Sequence, residues 1–175
     1  MADLLDLARL DAHQFSLSPQ TFDVAATVRT AVDAFGPPAA DLGISLQIDV
    51  PSELGSTGDP ERVAQIVANL VENALKSARE RIDVSVTTPD DHTIEVIVAD
   101  DGPGIDPAER HRVFERLFVS RAVPGRSVGT GLGLAIVGEL ANAMGGSAGV
   151  DAASTSGAVF RVQLPRTSPA GGMTS

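Results

Sequence analysis

The chain has no cysteine, no tryptophan and no tyrosine, and only one lysine. Without cysteine there is no disulfide framework, no thiolate metal site and no thiol nucleophile. The three histidines, His13, His92 and His111, are scattered and lack metal-ligand spacing. No apolar run reaches the roughly 20 residues that span a bilayer, and no signal peptide opens the sequence. A formal net charge of -10 excludes nucleic acid as the main partner. Aromatic residues amount to six phenylalanines.

What is present is ordinary globular material, and 175 residues point to one principal domain. Charge is uneven along it. Residues 1–61 hold ten acids and two bases, residues 107–175 four acids and seven bases. Five arginines (Arg110, Arg112, Arg116, Arg121, Arg126) lie between Pro107 and Val128 with two glutamates. One short arginine-rich segment in an acidic chain suggests a local anion site.

Periodicity orders the elements. Leu4, Leu7 and Ala8 share one helical face, too short to stand alone and readable as the tail of a helix. Residues 15–21 read as a linker. Val24, Val28, Ala31, Val32 and Phe35 predict a helix over about 23–35, ended by Gly36-Pro37-Pro38. Residues 44–50 alternate as a half-buried strand. Asp59-Pro60-Glu61 is a strong helix start, and that helix runs to about Ala78. Residues 82–88 and 93–99 predict an antiparallel hairpin. A short helix is expected over 107–117, a loop over 118–130, a helix over 131–144 and strands near 146–151 and 158–164. The order predicts an α+β two-layer sandwich with helices on one face of the sheet.

Four patterns carry chemistry. Asn69, Asn73 and Lys76 fall on one face of the 59–78 helix, opposite Val63, Ile66, Val67, Leu70 and Val71. Mid-helix asparagine is unfavourable, so two of them beside the only lysine suit an oxygen-rich ligand such as a metal-bound phosphate. Asp100-Asp101-Gly102-Pro103-Gly104-Ile105 follows a strand; its carboxylate can accept from a ligand amine, and its glycines permit close approach. Gly129-Thr130-Gly131-Leu132-Gly133-Leu134 opens a helix and bares N–H groups that suit phosphate. Its spacing is neither that of a Walker A loop nor the dinucleotide GxGxxG. The arginine segment between these glycine motifs fits a lid over an anion. Each pattern alone also fits a structural role: a solvated face, a plain turn, a Gly-rich helix start, a solvated loop.

In their order and spacing, Asn69–Lys76, Asp100–Ile105, Phe114-Glu115-Arg116-Leu117-Phe118 and Gly129–Leu134 resemble the N, G1, F and G2 boxes of the catalytic ATP-binding domain of bacterial sensor histidine kinases. That superfamily is shared with gyrase, Hsp90 and MutL. The resemblance covers residues 20–165 and implies a Bergerat-type sandwich, a mixed sheet of about five strands under three helices. Residues 1–19 then resemble the end of the dimerisation helix with its linker, and 166–175 a disordered tail.

The resemblance implies ATP and Mg2+ as cofactors. Asn73 would hold Mg2+, Asn69 and Lys76 would contact phosphates, and Asp100 would receive the adenine amine. Gly102 and Gly104 would let the base lie against the backbone, beside Ile105. Gly129, Thr130, Gly131, Leu132, Gly133 and Leu134 would wrap the triphosphate. Residues 106–128 would form the lid, with Arg116 and Arg121 facing phosphate. Hydrolysing relatives carry a glutamate at the position of Asn69, so this domain is expected to retain ATP for transfer, with Glu72 the catalytic acid.

The implied function is autophosphorylation of a histidine on a dimerisation domain, followed by passage to a response regulator. An anti-sigma-factor-type serine kinase and a degenerate nucleotide sensor are the alternatives. The domain is expected to be monomeric alone, and a cytoplasmic part of a membrane-bound sensor. Several positions depart from the family pattern. Ser77 stands where a ring is frequent, and Leu117-Phe118-Val119 lacks the usual F-box arginine. Ala158 lacks a hydroxyl, and no phospho-accepting histidine box is present. The three histidines read as surface residues.

Overall fold

The computed structural model describes residues 16–116, 131–152 and 157–167. Its main sheet contains β2 (Ser45–Asp49), β4 (Arg81–Asp90), β5 (Thr93–Asp100), β6 (Ser147–Ala152) and β7 (Ala158–Pro165), in the order β2-β4-β5-β7-β6. β2 and β4 are parallel, and the remaining pairs are antiparallel. A separate ribbon pairs β1 (Gln20–Asp23) with β3 (Gly55–Gly58). The helices are α1 (Val24–Asp33), α2 (Gly36–Asp41), α3 (Pro60–Ser77) and α4 (Gly133–Ala143). The expected α+β two-layer sandwich, with a five-stranded mixed sheet and three longer helices, is what forms.

The strand period of two divides the sheet's faces. Ile82, Val84 and Val86 of β4, Ile94, Val96 and Val98 of β5, and Phe160, Val162 and Leu164 of β7 point to the buried side. The opposite side is polar, and there Glu95 accepts from Arg161 at 3.1 Å and from Gln163 at 3.0 Å.

Over the sheet, α3 buries Val63, Ile66, Val67, Leu70, Val71, Ala74 and Leu75. Each large aliphatic side chain among these contributes about 1.5–3 kcal/mol of transfer free energy. The expected cap is present: Asp59 Oδ1 accepts the Arg62 N–H at 3.1 Å, and Oδ2 accepts the Ser18 N–H at 2.9 Å. The cap of α1 is Asp23, whose Oδ1 accepts from Ala25, Ala26 and Leu54. This ties the ribbon to the first helix.

The structure differs from the sequence expectations in four places, one of them the unexpected strand β3. Part of the expected 15–21 linker is β1, a short strand paired with β3 and held also by Phe22 against the core and by the Asp23 carboxylate. Gly36-Pro37-Pro38 ends α1 but also begins the six-residue α2, since proline suits a first helical turn. The expected helix over 107–117 is reduced to a 3-10 turn, Arg110–Arg112. Its backbone bonds run Glu109 to Asp106, Arg112 to Glu109 and Glu115 to Arg112, three residues apart rather than four.

The pairing continues past β7. Thr57 donates to the Thr167 carbonyl at 3.1 Å, and Arg166 to that of His92 at 2.7 Å. No helix among the described residues is long and apolar enough to cross a membrane.

Candidate nucleotide site

One end of the sandwich brings three segments together: the last two turns of α3, the end of β5 with its Gly-Pro-Gly turn, and the start of α4. Asn69 and Asn73 are half-buried, at the edge of the α3 stripe that packs on the sheet. Neither carboxamide takes a hydrogen-bond partner among the described residues. Gly133, the first residue of α4, faces Asn69. A Cβ placed on Gly133 would come within 3.3 Å of Asn69 Oδ1. The N-cap residue of α4, Leu132, makes no side-chain cap bond, and a helix start of this kind suits an anionic acceptor. Gly131 precedes it with φ +71, a left-handed turn natural to glycine. Leu132 is buried and Leu134 half-buried, which anchors this turn to the core.

Lys76 Nζ lies 2.7 Å from Glu72 Oε1, one helical turn away. Their side chains are 34% and 56% exposed, so this pair contributes only a few tenths of a kcal/mol. Ser77 turns its hydroxyl back to the Asn73 and Ala74 carbonyls, at 3.2 and 3.3 Å.

The two consecutive aspartates have opposite tasks. Asp101 belongs to the framework: its carboxylate accepts the Arg79 N–H at 2.7 Å and the Glu80 N–H at 3.1 Å. Its partial burial raises its pKa, but the N–H groups of Arg79, Glu80 and Arg81 outweigh this and the net shift is downward. Asp100 is 5% exposed and faces inward. Its Oδ1 accepts the Gly102 N–H at 2.8 Å. Its Oδ2 is buried without a hydrogen-bond partner. Burial holds its pKa above the ordinary carboxylate range, against the amides of Gly102 and Ala158. A buried acceptor with no donor fits a ligand amine, and adenine supplies one.

The glycines here answer first to the protein's own backbone. A Cβ on Gly102 would approach the Ser77 carbonyl oxygen to 2.5 Å. One on Gly104, whose φ is +77, would approach that of Gly157 to 2.8 Å. Gly157, given no site role on sequence grounds, has φ +96 and packs against the Asp100 carbonyl. Its only sequence signal is that it directly precedes Ala158, one of the positions that depart from the family pattern.

Ile105 is half-buried, and its carbonyl accepts from Arg110 at 3.4 Å. Phe114 meets Phe160 edge-on, with centroids 6.3 Å apart, which fastens the F-box turn to the core. Arg116 is half-buried at the end of this described segment. Arg121, Gly129, Thr130, Leu117-Phe118-Val119 and the expected 118–130 loop lie outside the described residues. So do His13, the 3–11 helix tail and residues 168–175. His92 and His111 are exposed, as expected.

A family model described as "Histidine kinase-, DNA gyrase B-, and HSP90-like ATPase" matches residues 58–168. The chain belongs to this family. It is 38% identical over 167 residues to the sensor histidine kinase MtrB of Mycolicibacterium paratuberculosis, covering 93% of this chain and 29% of that protein. It is 35% identical over 173 residues to the sensor histidine kinase TmoS of Ectopseudomonas mendocina, covering 96% and 18%. Thus the chain spans less than a third of these curated relatives.

Among solved structures, full-length ShkA in complex with AMPPNP superposes with a TM-score of 0.82 at 33% identity, over 96% of this chain and 35% of that one. The mycobacterial sensor histidine kinase MprB superposes with a TM-score of 0.73 at 31% identity, over 86% and 99%. The domain is therefore the ATPase part of the histidine-kinase type.

Proposed function

We propose that this domain binds Mg-ATP and presents the γ-phosphate to a histidine on a dimerisation domain, as the catalytic part of a two-component sensor kinase. The observation that carries this reading is the meeting of the α3 amide face with the start of α4, where Gly133 stands against Asn69. Carboxamide oxygen and a helix N terminus adjoin there, which suits a metal-bound polyphosphate. The relatives named above are sensor histidine kinases, and ShkA is described with AMPPNP.

Asn73 would hold Mg2+, and Asn69 and Lys76 the phosphates. Asp100 would receive the adenine amine, with Gly102, Gly104 and Ile105 beside the base. Gly131, Leu132, Gly133 and Leu134, with Gly129 and Thr130, would form the phosphate turn, and Arg116 and Arg121 the cationic side of the lid. Bound ATP supplies the phosphoryl group. The protein's part is placement and charge compensation. Asn69 is an amide with no basic lone pair where hydrolysing relatives carry glutamate, so no side chain there activates water. Glu72, next to Asn73, is assigned to assist the acceptor histidine. A response regulator is the onward partner, and the parent is placed at a membrane with this domain in the cytoplasm.

The test mixes the chain with the separate histidine-bearing dimerisation domain and ATP labelled in the γ position. Phosphohistidine on the added domain, and none on this chain alone, is expected. Label on a serine of an added protein would support the anti-sigma-factor-type kinase instead. Nucleotide binding without any transfer would support a sensor.

A further inference from the structure

The chain enters the described domain along residues 16–19, and one carboxylate holds that entry. Asp59 Oδ1 accepts the Arg62 N–H at 3.1 Å and caps α3, while Oδ2 accepts the Ser18 N–H at 2.9 Å from 41 positions earlier. A helix cap needs only the first of these oxygens. Asp59 is buried, and a buried oxygen that loses its donor is left desolvated and unpaired. Packing fixes this joint less firmly than it fixes the rest of the helix. Beside it lies an apolar cavity of about 280 Å3, lined by Leu17 and Pro19 of the entering segment, Phe22 of β1, Val63 of α3, Met144 just past α4 and Leu164 of β7. Side chains that border a void lack contacts on that side. From this joint α3 runs unbroken for 18 residues. Asn69 and Asn73 stand ten and fourteen positions beyond Asp59, roughly 15 and 21 Å along the axis. A rigid helix carries a shift of its start to its later residues.

We propose that Asp59 is a positioning residue for nucleotide binding: its carboxylate clasps the entering segment to the start of α3 and so holds the α3 amides in place against α4. This rests on the reading of the α3 amide face given above. With the clasp closed, Gly133 stands against Asn69 and the site is formed before nucleotide arrives. With the clasp open, a smaller fraction of molecules holds that arrangement, and the apparent affinity falls by that fraction. Linkage requires the converse, that bound nucleotide tightens the clasp.

The test cuts the clasp from each side in the whole chain. Asp59→Asn leaves one oxygen for two N–H donors, so cap and clasp cannot both hold. Ser18→Pro removes the N–H without changing charge. Calorimetric titration with Mg-ATP is made at a temperature where circular dichroism shows the variants folded. Each single variant is expected to bind about fivefold or more weakly than wild type. The double variant is expected to bind no more weakly than Ser18→Pro alone, because the same bond is cut. In wild type, saturating Mg-ATP is expected to slow hydrogen exchange of the Ser18 amide. Wild-type affinity in both single variants, even with lowered unfolding midpoints, would leave Asp59 a cap alone and overturn the coupling. A Ser18 amide unmoved by bound nucleotide, or a double variant that loses the sum of both effects, would overturn it too. If Asp59→Asn does not fold, Ser18→Pro and the exchange measurement decide. Absence of binding heat in wild type would instead overturn the functional reading, and the role of Asp59 with it.

Discussion

Gly157 packs against the backbone carbonyl of Asp100 so closely that no Cβ fits between them. This contact sets Gly157, the residue before β7, onto the end of β5 and fixes the strand end that carries the buried carboxylate. Gly157→Ala is expected to destabilise the domain by more than the roughly 1–2 kcal/mol that a left-handed backbone alone costs an L-residue, because the collision adds to it. Gly149→Ala serves as the comparison, since a Cβ there meets nothing within 4 Å. Denaturant unfolding of the two variants checks this. Equal midpoints would contradict it.

Asp100 is held inside with one oxygen unpaired, and burial raises its pKa. A raised folded-state pKa means that the group's contribution to stability is fully present below the unfolded pKa and is lost as pH rises through the folded one. Asp100→Asn keeps the acceptor for the Gly102 N–H and removes the charge. Thermal melts are expected to show the variant gaining on wild type from the ordinary carboxylate range upward, while its preference for ATP over GTP disappears. A variant less stable than wild type at neutral pH would contradict the account.

Phe114 and Phe160 join the F-box turn to the core. Phe160 is fully buried, and its replacement by alanine is expected to cost about 3–5 kcal/mol. Phe114 is half-buried, so Phe114→Ala should cost less, yet release the turn between Ile105 and Arg116. Amide hydrogen exchange in that turn should rise more in Phe114→Ala than exchange in β4 and β5 does. Uniform change across the domain would contradict a local anchoring role.

The elements legible in the sequence are those that a repeating apolar pattern specifies. Helix α3 carries both a cap signal and a seven-residue apolar stripe, and β4 alternates cleanly from Arg81 to Val86. Strands β1 and β3 are four residues each, Gln-Thr-Phe-Asp and Gly-Ser-Thr-Gly, paired through their backbones with no apolar period to read. The turn at 110–112 carries helix-like spacing, but its bonds close three residues apart. Asn69, Asn73, Lys76 and Asp100 stand out as candidates by residue type and spacing alone, without the fold. Gly157 does not, because its role exists only where two distant segments touch.

The central claim is that the α3 amide face holds a metal-bound nucleotide, and calorimetric titration of Asn73→Ala beside wild type tests it most directly. Wild type is expected to bind ATP more tightly with Mg2+ than without, and the variant to lose that difference while keeping its unfolding midpoint. A variant that retains the full magnesium dependence would contradict the claim.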